Sequence, residues 1–466
     1  MSFGSAVCRV TLGAALLVAC RSQRAEPPAE VAPADSVASS LPAAPRCRAV
    51  TPGVRFTMGQ PSLRPADAGE EEDEPAAPLP FAVELGGAVA HDGGFAVSAL
   101  SAKGGGTTAL VALVDGAGKG GRLVQLGATH GDVEPPRLAA RGAAVVAVVP
   151  DSDAGGGRLR LARIDVGAAS VTWGGELPEA RDESHALDVE LGPKRAVVVW
   201  DEVTKGERRG VIRVASFAAD DPSNVTAART LSSGDEDAEA PQLAPRPGGF
   251  WAAWLVRAAP PAVVRAPAGK RAPSPATAAS DQPDPPVVEL GRRRLRLVPL
   301  DENGARLGEP LDVTAPLSQV LVFDLASSAQ GDALLAYRDE PTSPGVEAEV
   351  VRFARVLPGG SVEHHDLADA AVGAGVPSLL VDLAAPAAGQ RLWLSLGSVT
   401  DVTRLGALDA AAKLLDRLDT EPALGAGEPI AARAGRLLVA EPKGLAMDLF
   451  VLGCERGAPP RPERDE

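Results

Sequence analysis

The chain has 466 residues, enough for three ordinary domains or for one large β architecture. Its 50 glycines and 42 prolines, about a fifth of the total, exclude a long helical bundle, while 45% apolar residues still supply a core. A net charge of −15, from 61 acidic and 46 basic residues, argues against a nucleic-acid partner.

Residues 1–19 read as an export signal. Arg9 precedes an apolar run from Val10 to Val18, too short to span about 30 Å of hydrocarbon. The run ends in Leu17, Val18, Ala19 and Cys20, and this ending resembles the lipobox of bacterial lipoproteins. The resemblance implies cleavage before Cys20 and acylation of its thiol. Ser22, in place of Asp, leans towards the outer membrane. The expected location is therefore the bacterial cell envelope, with a lipid anchor as the membrane contact; a plain signal peptide is the alternative. Residues 20–46 are Ala, Pro, Glu and Ser with few large apolar side chains, the composition of a flexible tether.

Cys8 leaves with the signal and Cys20 carries lipid, so Cys47 and Cys454 remain, one near each end of the folded region. In an oxidising compartment two such thiols are expected to form one disulfide. The alternative, a metal pair, lacks a nearby histidine.

A unit of about fifty residues then repeats. Its second strand is a continuously apolar run, seen at 94–98, 143–149, 196–200, 249–254, 333–337, 391–396 and 436–440. Its third strand and hairpin turn recur at 110–118, 159–167, 212–217, 295–304, 350–360, 402–409 and 448–453. Runs without polar alternation suit strands covered on both faces, and the Asp- and Gly-containing turns are hairpin chemistry. Fourth strands are expected at 122–126, 170–173 and 225–228.

Seven such copies predict an all-β fold, a seven-bladed β-propeller of four-stranded blades over residues 47–457, with residues 458–466 a disordered tail. The seventh copy has no residues left for a fourth strand, whereas 47–51 and 54–57 lack a partner. The N-terminal strand is thus expected to complete the last blade and bring Cys47 beside Cys454. Two smaller β domains, or a ring of six or eight blades, are the competing architectures. Residues 407–418 have helical character.

Two low-complexity insertions are expected to be disordered: 59–80, which includes Glu70 to Glu74, and 258–286, between the second and third strands of the fourth copy. The loops between blades are acidic. They hold Asp132 and Glu134, then Asp182, Glu183 and His185, then Asp235, Glu236, Asp237 and Glu239. On a ring these residues gather at one mouth of the channel, as a candidate binding mouth for a cation or basic peptide, or simply as a soluble surface.

Chemical motifs are sparse. Residues 116–120 lack the length and closing Ser or Thr of a phosphate loop. Residues 151–155 begin like a calcium loop without its later acidic ligand. None of the five histidines has metal-motif spacing. No catalytic or metal-ligating residue is assigned, and no cofactor is expected beyond a weak divalent cation such as calcium. Trp200, Trp254 and Tyr337, equivalent in the repeat, are expected to pack between blades. The chain thus resembles propeller-bearing bacterial lipoproteins generally. The expected role is a monomeric binding module for an envelope protein or small-molecule ligand; the alternative is an enzyme with its site at the acidic mouth.

Overall fold

The computed structural model describes residues 46–50, 53–57, 83–103, 106–131, 133–153, 156–177, 186–203, 209–258, 292–316, 318–339, 350–366, 376–382, 391–397, 403–408, 414–421, 424, 428–443 and 446–454. The export signal, Cys20, the tether and the C-terminal tail lie outside the described residues, as do both insertions apart from Ala258.

Every regular element among the described residues is a strand, and the strands form seven antiparallel blades. Blade 1 is Val83–His91, Gly94–Lys103, Gly106–Asp115 and Gly121–Thr129. Blade 2 is Arg137–Arg141, Ala144–Asp153, Gly156–Asp165 and Ser170–Leu177. Blade 3 continues with Leu187–Leu191, Arg195–Val203, Gly210–Ala218 and the short Arg229–Thr230. Blade 4 is Glu236–Arg246, Gly249–Ala258, Arg293–Asp301 and Leu311–Asp312. Blade 5 comprises Val320–Ser327, Ala333–Asp339, Val350–Val356 and Val362–Asp366. Blade 6 has Val376–Asp382, Arg391–Gly397, Arg404–Leu408 and Leu414–Glu421. Blade 7 contributes Glu428–Arg433, Arg436–Lys443 and Ala446–Cys454 from its own repeat.

The apolar second strands are sealed on both faces, as their composition requires. In blade 3, Val198 and Trp200 pack with Val146, Val148 and Leu161 of blade 2. Their neighbours Val197 and Val199 point the other way, onto Phe250, Ala252 and Trp254 of blade 4. Side chains of period two thus serve two interfaces, and each fully buried Val is worth about 1.5–3 kcal/mol. Trp200, Trp254 and Tyr337 all lie in these inter-blade cores.

The chain termini close the ring. Arg46–Ala49 and Val54–Thr57 both pair antiparallel with Ala446–Cys454, completing blade 7. Cys47 stands directly opposite Cys454 in that register and is bonded to it, 407 residues apart in sequence. Loop-closure entropy gives a cross-link of this span an idealised ceiling of about 5–6 kcal/mol.

The closing segment reaches further than one blade. Arg46–Ala49 also pairs in parallel with Leu414–Glu421, so blades 6 and 7 share one continuous nine-stranded sheet. On the other side, Phe56 joins the core between blades 7 and 1 and lies where only a glycine, Gly121, leaves room for its ring.

Two local expectations shift. Within 407–418 the described residues, 407–408 and 414–418, are strand rather than helix, because both find ladder partners. In blade 3 the fourth strand starts at Arg229, later than expected. The Thr226 hydroxyl accepts the Ser216 N–H at 2.9 Å, so a side chain replaces a rung of the ladder.

Candidate functional site

Each blade's first strand faces the central channel, which leaves one edge of backbone groups unpaired by the sheet. Polar side chains deal with part of this edge. Asp188 of blade 3 accepts the Leu243 N–H of blade 4 at 2.7 Å. Gln242 of blade 4 accepts the Leu325 N–H of blade 5 at 2.8 Å and donates to the Phe323 carbonyl at 3.0 Å. Asp324 of blade 5 accepts the Leu379 N–H of blade 6 at 2.5 Å. One device is used three times in succession: a polar arm grips the next blade's inner strand.

Carboxylates in this position are costly. Burial pushes the Asp188 carboxyl above its ordinary range, against the opposing pull of the Leu243 N–H and the Arg137 charge. Burial likewise raises Asp324 to about 7. Glu190, two residues beyond Asp188, is pushed up to about 8, first by burial and then by the charge of Asp188.

Beyond this ring the channel widens into a cavity of about 570 Å³, walled by all seven inner strands near their C-terminal ends. Its wall is divided. On the side of blades 4, 5 and 6 it is largely apolar, with Leu243, Leu325, Leu379 and Val381 among its residues. On the side of blades 7, 1 and 2 it presents Arg433, His91, Asp92 and Arg141, with Glu190 of blade 3 next to them.

The cationic side is built from hairpin turns. Asp382, fully buried at the end of its strand in blade 6, accepts the N–H groups of Ala434 and Gly435 at 2.8 and 2.6 Å. Ala434 has a φ of 49°, a left-handed conformation that costs a non-glycine residue about 1–2 kcal/mol. The two hydrogen bonds hold that turn and so fix Arg433, which precedes it. Between blades 1 and 2 the Asp92 N–H donates to the Gly142 carbonyl at 2.7 Å, locking Asp92 against the turn after Arg141.

His91 is 5% exposed, and its Nδ1 accepts the Gly93 N–H at 3.0 Å. In the neutral ring the proton therefore sits on Nε2, which is buried and has no partner among the described residues. Burial, and then the Arg433 charge, lower the pKa of this imidazole and keep it neutral. Arg433 lies 3.8 Å from the Asp92 carboxylate. Arg141 is exposed and forms no ion pair or hydrogen bond with any described residue.

Of the acidic residues expected at one mouth, those that are described lie at the other end of the channel, where each blade begins. Asp132, Asp182, Glu183 and His185 lie outside the described residues, and Glu134 is exposed. The remaining carboxylates are engaged. Glu236 pairs with Arg296, and Asp237 with Arg257 at 3.3 Å. Glu239 binds Arg257 and Arg293, each at 2.7 Å, and Asp235 accepts the Ser233 hydroxyl. At the same end Asp151, from the segment that begins like a calcium loop, binds Arg158 at 2.8 Å and His130 Nδ1 at 2.9 Å. Among the described residues no group of three or more His, Cys, Asp or Glu is placed to hold a metal.

His91, Arg141, Glu190, Asp324 and Arg433 were not candidates from sequence. The one usable signal was a charged or polar residue recurring in otherwise apolar first strands, as at Asp188, Gln242 and Asp324.

The fold and site together define a closed seven-bladed propeller with a divided channel cavity. No protein-family model and no curated protein sequence matches the chain. Several solved propeller structures resemble it distantly. The β-propeller domain of the Trilobed protease from Pyrococcus furiosus matches 81% of this chain and 96% of its own, at 9% identity and a TM-score of 0.45. An ulvan lyase of polysaccharide lyase family PL25 matches 79% and 94%, at 10% identity and a TM-score of 0.49. Acylaminoacyl peptidase from Pyrococcus horikoshii matches 81% and 53%, at 9% identity and a TM-score of 0.46. Such likenesses say nothing about activity.

Proposed function

We propose that this chain is a lipid-anchored protein of the bacterial envelope whose propeller is a ligand-binding module, with the channel cavity as its site. The observation that carries the reading is the cavity. At about 570 Å³ it has the size of a small-molecule site, and a few polar groups stand on an otherwise apolar wall. The inner strands of blades 3 to 6, which form its apolar side, are gripped blade to blade, so that wall is preformed. Leu17 to Cys20 support the anchor and Ser22 supports the outer membrane as its location.

Two experiments test the two halves. Expression in a bacterium fed an alkyne fatty acid is expected to label the wild type and not Cys20→Ala; equal labelling removes the anchor. Native mass spectrometry of the purified chain after incubation with a bacterial small-molecule extract is expected to show retained ligand. Retention undiminished in the cavity-blocking variant Ser327→Trp moves the site elsewhere.

An enzymatic reading has one observation in its favour. Glu190 faces the cavity and keeps its proton to about pH 8, the property of a general acid. Its neighbour Asp188, however, is already engaged by the Leu243 N–H. Turnover that survives Glu190→Gln excludes this role.

A further inference from the structure

We propose that the channel cavity selects small organic anions with an apolar body, a carboxylate docking against blades 7, 1 and 2 and the hydrocarbon against blades 4 to 6. The inference rests on the cavity being a ligand site and adds the class of ligand.

The charges that face the cavity are few: Arg141, Arg433, Asp92 and, when ionised, Glu190 and His91. At neutral pH Glu190 retains its proton and His91 carries none beyond its neutral complement. Two guanidiniums then face one carboxylate, and the wall is net positive inside a chain whose total charge is −15. Arg433 and Asp92 are 3.8 Å apart, a loose contact that leaves guanidinium donors unfilled. Arg141 is exposed and has no ion pair or hydrogen bond among the described residues.

His91, which lines the cavity between the two arginines, is 95% buried and uncharged, so it neither cancels nor adds to the charge of this wall. A carboxylate supplies two acceptor oxygens, matches guanidinium geometry, and gains strength where water is scarce. The protonated Glu190 adds a further donor on the same side.

The opposite wall decides what the carboxylate is attached to. Leu243, Leu325, Leu379 and Val381 offer apolar surface and no charge, so a bare inorganic anion leaves half of the site unused.

The test uses the folded chain and three probes with one ring system, 1-naphthaleneacetate, 2-(1-naphthyl)ethylammonium and 1-naphthaleneethanol, titrated calorimetrically at pH 7. The acetate is expected to bind with one-to-one stoichiometry, the alcohol at least tenfold more weakly, and the ammonium not at all at millimolar concentration. Arg141→Gln and Arg433→Gln are each expected to weaken the acetate about tenfold, with partial rescue by Arg141→Lys; thermal melts confirm that the variants fold. If the alcohol or the ammonium binds as tightly as the acetate, the anion selectivity falls while the cavity stands as a ligand site. Acetate binding untouched by both arginine variants places the anion elsewhere and overturns the inference. If no probe binds, the ligand-cavity reading falls with it.

Discussion

The two ends of the channel make the informative comparison. The end where blades begin is rich in carboxylates by sequence, yet in blade 4 Arg257, Arg293 and Arg296 pair with Asp237, Glu239 and Glu236. The end where the inner strands finish is inconspicuous by sequence, yet there Arg141 and Arg433 line one cavity, and among the described residues their one ion pair is the 3.8 Å contact of Arg433 with Asp92. Formal charge along a chain is therefore a poor guide to local field. What counts is how much of it is matched by partners from neighbouring strands.

Four measurements break or sharpen this contrast, taken from the largest expected effect to the smallest. The first concerns Glu190, raised to about 8 when folded against an ordinary value of 4.5. Below the ordinary value both folded and unfolded chains hold the proton. As pH rises from about 5 to 8 the unfolded chain loses it first, so stability falls, by up to about 1.4 kcal/mol per pH unit. Denaturant titrations of wild type and Glu190→Gln across that range should show the slope in the former and a flatter profile in the latter. Identical slopes mean that Glu190 is ionised at neutrality and the cavity wall is not net positive.

The second is Asp151→Ala at the opposite end. Asp151 is 1% exposed by side chain and is shared by Arg158 and His130. Its loss removes the shortest ion pair of the half-buried Arg158, which keeps Glu176 at 3.8 Å, with an expected cost of about 3 kcal/mol by urea unfolding. The third is Arg257→Gln, which leaves Asp237 with the Gly210 N–H but no arginine and removes one of two arginines from Glu239. About 2 kcal/mol is expected, recovered in part by the further change Asp237→Asn. A cost near zero for either variant makes that end an ordinary solvated surface. The fourth is Arg141→Gln, expected to change unfolding free energy by no more than about 0.5 kcal/mol, because this exposed arginine has no ion pair or hydrogen bond among the described residues. A substantial loss of stability assigns Arg141 a structural task and weakens the case for a ligand.

Much of the fold was legible because burial on two faces leaves an unambiguous mark. The run from Ala196 to Trp200 has no polar residue, and each of its side chains is fully buried between blades. The placement of Cys47 and Cys454 was legible as well, since a missing strand at one end matched a surplus strand at the other. The parallel pairing of Arg46–Ala49 with blade 6 was not, because four polar and small residues carry no register signal. The helical spacing of 407–418 misled at its described ends, where pairing with neighbouring strands of the blade overrode it.

Periodicity and residue type alone determined the strand repeats, the number of blades and the manner of closure, because each depends on which side chains must leave water. Only the tertiary structure decided the cavity. His91, Arg141 and Arg433 sit at the ends of first strands in blades 1, 2 and 7, up to 342 residues apart, and nothing local marks them as partners. They meet because the ring closes, and closing the ring is a long-range event that no window of sequence contains.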